Sequence, residues 1–199
     1  MIEKDGRKSN SNRTFLRPNH FAHQPHKKSL DGQIILSYNE YMDFKVYVEI
    51  PAGGSVKYEV DEKTGELAVD RFLHTSFVYP FNYGFIKGSK GEDGDPVDVV
   101  ILSSQRVYPG VVIKCHAVGL LQMEDEAGVD TKILAVPDKK IDPEYGTMED
   151  INHVSKPTLA KIKHFFENYK TLEPEKWVKV HDFRPANEAN TIIEKLLTK

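Results

Sequence analysis

The sequence has little cysteine, no long apolar run and no surplus of charge. Cys115 is the only cysteine, which excludes an intramolecular disulfide and a cysteine-built zinc site and fits a reducing cytoplasm. No stretch approaches the ~20 consecutive apolar residues of a membrane helix, so no membrane is expected among the partners. A formal net charge of -3 offers no general attraction for nucleic acid, and any bound anion has to be held by a local cluster of cations. An apolar signal segment is also missing near residue 1. The sequon Asn12-Arg13-Thr14 matters only in secreted chains and is read as chance.

What is present is a globular balance, 39% hydrophobic and 29% charged over 199 residues, enough for one domain with a sizeable core. Residues 1–30 carry seven Lys or Arg against Glu3 and Asp5, with His20, His23 and His26 and no sustained periodicity. They are read as a polar extension, the histidines lacking a framework that would make them a metal site. Residues 31–199 are read as a single domain.

Hydrophobic period places the elements. Val46, Val48 and Ile50 alternate with Tyr47 and Glu49, and Val56, Tyr58 and Val60 alternate with Lys57 and Glu59. With the turn composition of Pro51–Ser55 between them, a β-hairpin is expected, Glu49, Lys57 and Glu59 sharing its polar face. Further strands are expected over 67–72, 97–102, 111–121 and 132–136. Leu159, Ile162, Phe165, Phe166 and Tyr169 then recur at helical spacing after Pro157, and Ile192, Ile193, Leu196 and Leu197 form a second apolar stripe. The fold expected is α+β, mainly β: a five-stranded, OB-like barrel with flanking C-terminal helices.

The chemistry concentrates in carboxylates. Asp93, Asp95 and Asp98 lie within six residues at the entrance to the apolar run Val97–Val100. Like charges this close repel, and burying one among valines is costly unless a cation or hydrogen-bond donors compensate. An acidic surface loop has the same composition, but a hard divalent ion would supply the compensation. An EF-hand is excluded because Val97 and Asp98 stand where it needs Asp or Asn followed by Gly, and no glycine pair here completes a Walker loop. A second acidic cluster, Glu124-Asp125-Glu126, is followed by Asp130 and Lys132. A turn there brings Asp125 towards Asp130, and period two puts Asp130 and Lys132 on one strand face. Carboxylates around divalent ions hold phosphoryl oxygens and convert bound water to hydroxide. Lys57, Arg71, Lys132 and Lys170 are the candidate cations for a departing phosphate, and Tyr83 and Tyr169 candidate phenol donors.

Asp93-Gly94-Asp95-Pro96-Val97-Asp98-Val99 resembles the signature of soluble family I inorganic pyrophosphatases, bacterial type. Glu49-Ile50-Pro51, Lys57-Tyr58-Glu59, Asp70-Arg71, Tyr79-Pro80 with Asn82-Tyr83-Gly84, Asp125–Gly128 with Asp130 and Lys132, and His164–Glu167 with Tyr169-Lys170 follow that family's pattern. Together they cover roughly residues 44–182. The resemblance implies hydrolysis of pyrophosphate to two orthophosphates by a metal-activated water, with Mg2+ as cofactor. By the same resemblance Glu49, Asp93, Asp98, Asp125 and Asp130 are metal ligands, Asp95 assists as general base, and Asp95, Asp98 and Lys132 form the catalytic set. Lys57, Arg71, Tyr83, Tyr169 and Lys170 bind substrate with Lys132, and no organic cofactor is called for. It also implies a cytoplasmic homohexamer, His164 matching a subunit-contact histidine. Three features depart from the pattern: residues 1–43 are unlike the usual short start, Asn168 replaces a second contact histidine, and the Pro51–Ser55 loop is one residue short. An OB-type nucleic-acid module is the rival reading, but its groove needs basic residues and stacking aromatics, whereas the clusters here are acidic.

Overall fold

The computed structural model describes residues 42–197, apart from Glu62, Glu92 and Asp93, and the backbone of two short strands further towards the N-terminus. Those strands, β1 (His26–Leu30) and β2 (Gln33–Ser37), pair antiparallel in a sheet of their own, within a first unit that ends at Glu40. The remainder of the expected extension, residues 1–25, lies outside the described residues. The second unit holds β3 (Asp43–Ile50), β4 (Val56–Val60), β5 (Leu67–Phe72), β6 (Asn82–Ile86), β7 (Asp98–Ile101), β8 (Val112–Asp125), β9 (Gly128–Val129) and β10 (Lys132–Pro137). Helix α1 (Lys156–Asn168), β11 (Val178–Pro185) and α2 (Ala186–Leu197) complete it.

Five strands close into the expected barrel. β3 pairs with β6, β6 with β7, β7 lies parallel to β10, β10 returns antiparallel to β8, and β8 pairs with β3. Closure leaves no edge among these strands. β8 runs for 14 residues, long enough to carry β9 and β11 beyond the ring. The pleat sorts side chains into two layers. Val46, Val48, Val99, Ile101, Ile133 and Ala135 fill the inside, while Val100, Leu102, Leu134 and Val136 lie on the outer wall. Gly84 of β6 sits where a Cβ would come within 1.9 Å of the Tyr47 carbonyl oxygen, so only glycine lets these two strands meet.

Helix α1 covers the outer wall. The Ser155 side chain accepts from the Thr158 N–H and Pro157 occupies the first turn, which starts the helix cleanly. Ile162, Phe165 and Phe166 are buried against the wall, each contributing about 1.5–3 kcal/mol of apolar burial. In α2, Ala189 and Ile193 are fully buried while Leu197 is exposed, a narrower stripe than the sequence suggests. No helix among the described residues is long and apolar enough to cross a membrane.

One expectation fails. β3 and β4 do not form a hairpin; β4 pairs instead with β5 in a separate two-stranded sheet. The reason is topological: both edges of β3 are taken, by β6 and β8, so β4 has none to join. A register shift in the β3–β6 ladder between Val48 and Ile50 accompanies the burial of Glu49, which is not on an exposed polar face.

Candidate active site

The site grows from the outer wall of the barrel. In the parallel ladder Ile133 stands beside Val99, so the residues one step before them, Lys132 and Asp98, are neighbours on the opposite face. The Lys132 ammonium lies 2.5 Å from Asp98 Oδ2 and 2.5 Å from Asp130 Oδ1. The lysine is only 3% exposed. Burial alone would drive off its proton, but the two carboxylates outweigh burial and hold its pKa above the ordinary lysine value. Burial pushes Asp130 up, with Lys132 opposing and Asp98 reinforcing the shift. One cation is therefore shared by two acids.

Glu49 adds negative charge to the same neighbourhood. Its carboxylate accepts from the Val60 N–H at 3.1 Å. Burial, reinforced by the charge of Asp98, raises its pKa to about 7. Asp125, at the end of β8, pairs with Lys170 at 2.7 Å, both groups being buried. Lys170 follows the C-terminal turn of α1, where the helix dipole favours a cation. Glu126 lies 3.6 Å from Lys170 and 2.5 Å from Lys176, and accepts from the Trp177 N–H at 3.4 Å. Burial would raise the Glu126 pKa, but these donors bring it to about 2.

The β4–β5 hairpin carries the remaining cations. Lys57 and Arg71 are cross-strand partners. Arg71 donates to Asp70 at 2.5 Å and to Glu173 at 3.2 Å, and Lys57 reaches Asp70 at 3.2 Å and also Glu59. Tyr83 and Tyr169 are buried, with the Lys132 ammonium 5.8 Å from the Tyr83 ring centre and Lys170 5.7 Å from that of Tyr169. Burial first, then surrounding carboxylates, pushes both phenols well above the ordinary tyrosine value. Both hydroxyls stay protonated at neutral pH.

Residues 46–199 match the family described as inorganic pyrophosphatase. The chain belongs to the inorganic pyrophosphatase family. An inorganic pyrophosphatase of Aquifex pyrophilus is 49% identical over 153 residues, covering 77% of this chain and 86% of that one. Its counterpart from Aeropyrum pernix is 51% identical over 154 residues, covering 77% and 88%. Among solved structures, the inorganic pyrophosphatase of Coxiella burnetii aligns with a TM-score of 0.76 and 46% identity over 78% of this chain and 94% of that one. That of Helicobacter pylori aligns with 0.76 and 47% over 78% and 92%. Family membership makes the chain a hydrolase of pyrophosphate, as the sequence motifs imply.

Within this pyrophosphatase the structure brings together Asp98, Asp130 and Lys132, pairs Asp125 with Lys170, and places Glu49, Tyr83 and Tyr169 within the electrostatic reach of these groups. Lys57 and Arg71 stand together on the hairpin. Asp95 is exposed in a turn closed by a Gly91 N–H to Asp95 carbonyl bond of 2.7 Å, and Asp93 lies outside the described residues. Among the described residues no three acidic, histidine or cysteine side chains are grouped closely enough to hold a metal by themselves. Sequence reading gave no role to Glu173, which is buried and grips Arg71 from 102 positions away, or to Glu126. Glu126 belongs to a quoted motif; nothing local to Glu173 marks it.

Proposed function

We propose that these groups hydrolyse inorganic pyrophosphate to two orthophosphates with Mg2+ as the cofactor. The observation that carries the reading is the charge imbalance around Lys132: one ammonium serves Asp98 and Asp130, while Glu49 nearby is pushed up to about 7. Buried carboxylates that repel one another and offer only oxygen donors suit a hard divalent ion. Glu49, Asp93, Asp98, Asp125 and Asp130 would between them hold such ions, sharing them with water and substrate oxygens. When bound, Mg2+ would neutralise phosphoryl oxygens and lower the pKa of water at the site.

The chain's own residues divide the remaining work. Lys57, Arg71, Lys132 and Lys170 bind and orient the pyrophosphate oxygens, Arg71 through its planar fork and the lysines as compact charges. The Tyr83 and Tyr169 hydroxyls, kept protonated by burial, donate to phosphate oxygens instead of adding negative charge. Asp95 takes the proton of the attacking water at its exposed carboxylate, and Asp98 completes the catalytic set with Lys132. Positioning and charge neutralisation are what phosphoryl transfer demands of a protein.

We assign catalysis to residues 31–199, with 1–30 as an extension, and place the enzyme in the cytoplasm as a homohexamer. Consistent with a subunit contact, His164 is exposed on α1, its ring edge-on to Phe77 at 5.4 Å. Orthophosphate release from pyrophosphate tests the function. Rapid release with Mg2+, abolished by EDTA and reduced at least ~100-fold in Asp98→Asn, is expected; folded wild-type protein that releases none with Mg2+ would refute the proposal.

A further inference from the structure

Asn82 opens β6, one residue before Tyr83, and is 1% exposed. Its amide oxygen accepts from Ala52 N at 3.0 Å and from Val107 N at 2.9 Å. Its amide nitrogen donates to Ser103 Oγ at 2.8 Å and to the Gln105 carbonyl at 2.9 Å. An asparagine side chain has two acceptor and two donor positions, and all four are used. Each partner is at least 21 residues away in sequence, so this is not the local turn that asparagine ordinarily makes with its own backbone.

The two segments it joins both lead to the site. Ala52 belongs to the turn between β3, which ends with Glu49 and Ile50, and β4, which carries Lys57. Residues 103–107 follow β7, which begins at Asp98. The β4–β5 hairpin pairs with no barrel strand in any ladder, and an isolated two-stranded hairpin has little stability of its own. Its orientation is set by Tyr58 packing on the outer-wall core, by the Arg71–Glu173 bond and by the backbone at its base. There, Gly53 N to Tyr79 O, Tyr79 N to Gly54 O and Leu73 N to Ser55 O, each 2.8 Å, tie the turn to the connection 73–81, which leads away from the same hairpin. The Ala52 N–H to Asn82 bond reaches a barrel strand directly. Another tie, Val60 N–H to Glu49, uses a carboxylate assigned above to the metal.

We propose that Asn82 is a positioning residue for pyrophosphate hydrolysis: it fixes the hairpin bearing Lys57 and Arg71 relative to the barrel wall bearing Tyr83, Asp98 and Lys132. The inference rests on the function proposed above. Substrate spanning cations on two separately built elements requires a constant distance between them, and a misplacement of about 1 Å costs on the order of 100-fold in rate. Asn82 touches no substrate in this scheme and acts through the hairpin.

A double-mutant cycle separates this role from a general one in folding. Asn82→Ala is measured for kcat/KM with Mg2+ and pyrophosphate in three backgrounds: wild type, Lys57→Ala, which removes a hairpin cation whose ion pairs all lie within the hairpin, and Lys170→Ala, which removes a cation outside the hairpin. Orthophosphate affinity is measured alongside by calorimetry. The expected result is a loss of at least about tenfold in wild type and in Lys170→Ala, shrinking to under about threefold in Lys57→Ala, with phosphate affinity following the same order. Asn82→Asp keeps both acceptor contacts, including that to Ala52, but cannot donate to the Gln105 carbonyl; it serves in the same cycle, with the same order of backgrounds expected, if Asn82→Ala does not fold. Equal losses in the Lys57→Ala and Lys170→Ala backgrounds would overturn the positioning role while leaving the pyrophosphatase reading intact. Wild-type protein without pyrophosphatase activity would overturn that reading, and this inference with it.

Discussion

The hairpin β4–β5 and the barrel wall both carry cations paired with carboxylates, yet they hold them differently. On the hairpin, Lys57 meets Glu59, whose side chain is 55% exposed, and Asp70 at 28%. On the wall, Lys132 is 4% exposed and Lys170 10%, each locked to acids by bonds of 2.5–2.7 Å. Water screens the first set, and breaking one of its pairs leaves both partners solvated. In the second set the lysines and Asp125 have surrendered their solvent, while Asp98 and Asp130 keep 31% and 25% of their side-chain surface, so removing a lysine leaves its acids only partly solvated. The wall is therefore where stability and function are in conflict, and the exposed side of the hairpin, unlike Arg71 with its buried partner Glu173, is where a charge can be altered with little structural penalty.

The largest effect should come from breaking the wall. Lys132→Met leaves Asp98 and Asp130 facing each other without their shared cation; because the two acids keep 31% and 25% of their side-chain surface, the cost is about 2–4 kcal/mol, below that of a fully buried charge. Urea denaturation in EDTA at pH 8 is expected to show that loss, and added Mg2+ to restore much of it by replacing the missing positive charge. A loss under about 1 kcal/mol in EDTA would mean that the wall does not differ from the hairpin.

Glu49 sharpens the comparison, because it is a wall carboxylate with no ion pair among those described. Its folded pKa is raised from the ordinary 4.5 to about 7, so between those values the folded protein holds a proton that the unfolded chain has released. Stability therefore falls as pH rises from about 4.5 through 7, and the penalty is complete above that, about 3 kcal/mol from the size of the shift. Glu49→Gln keeps an oxygen for the Val60 N–H and removes the charge. Metal-free Glu49→Gln should be more stable than wild type by about 2–3 kcal/mol at pH 8, and equal to it near pH 4. A variant less stable at both pH values would show that the carboxylate is held by favourable contacts instead.

The smallest effect belongs to the hairpin. Glu59→Gln removes an exposed partner of Lys57 and is expected to change stability by no more than about 0.5 kcal/mol, measured by the same denaturation. A cost above 1 kcal/mol would place the hairpin in the same class as the wall.

Much of this was legible in the sequence, for identifiable reasons. β3, β7, β8 and β10 announce themselves because their apolar residues alternate or run together between turns, and α1 because Ile162, Phe165, Phe166 and Tyr169 repeat at helical spacing. β6 did not, since nearly all its residues are buried and Gly84 interrupts any reading of alternation. β11 alternates, but its ladder shifts register between Val180 and Phe183. The β3–β4 hairpin failed as an expectation because turn composition says where a chain bends, not which edges remain open to the next strand. The same limit governs the site. Asp130 and Lys132 fall on one strand face by counting, so their meeting could be read directly. That Glu173 holds Arg71 depends on how the segment after α1 returns to the hairpin, and that Asn82 joins Ala52 to Val107 on β6 lying between β3 and β7; no spacing in the sequence encodes either.

The 14-residue β8 has a consequence for how the chain comes into being. Because β8 pairs with β3 and β10 to complete the ring and then supports β9 and β11, everything synthesised before it is an open sheet. β3, β6 and β7 leave the ribosome with an unsatisfied edge and with Val46, Val48, Val99 and Ile101 facing water, and they stay so until β8 and β10 have followed. That interval is when a growing chain is most prone to pair with a neighbour's edge. Sealing needs both β8 and β10, and the pairing of β10 with β7 also brings Asp98 alongside Lys132. A polypeptide stopped short of Lys132 has no closed ring and no paired site, so the enzyme cannot be partly active while it is being made.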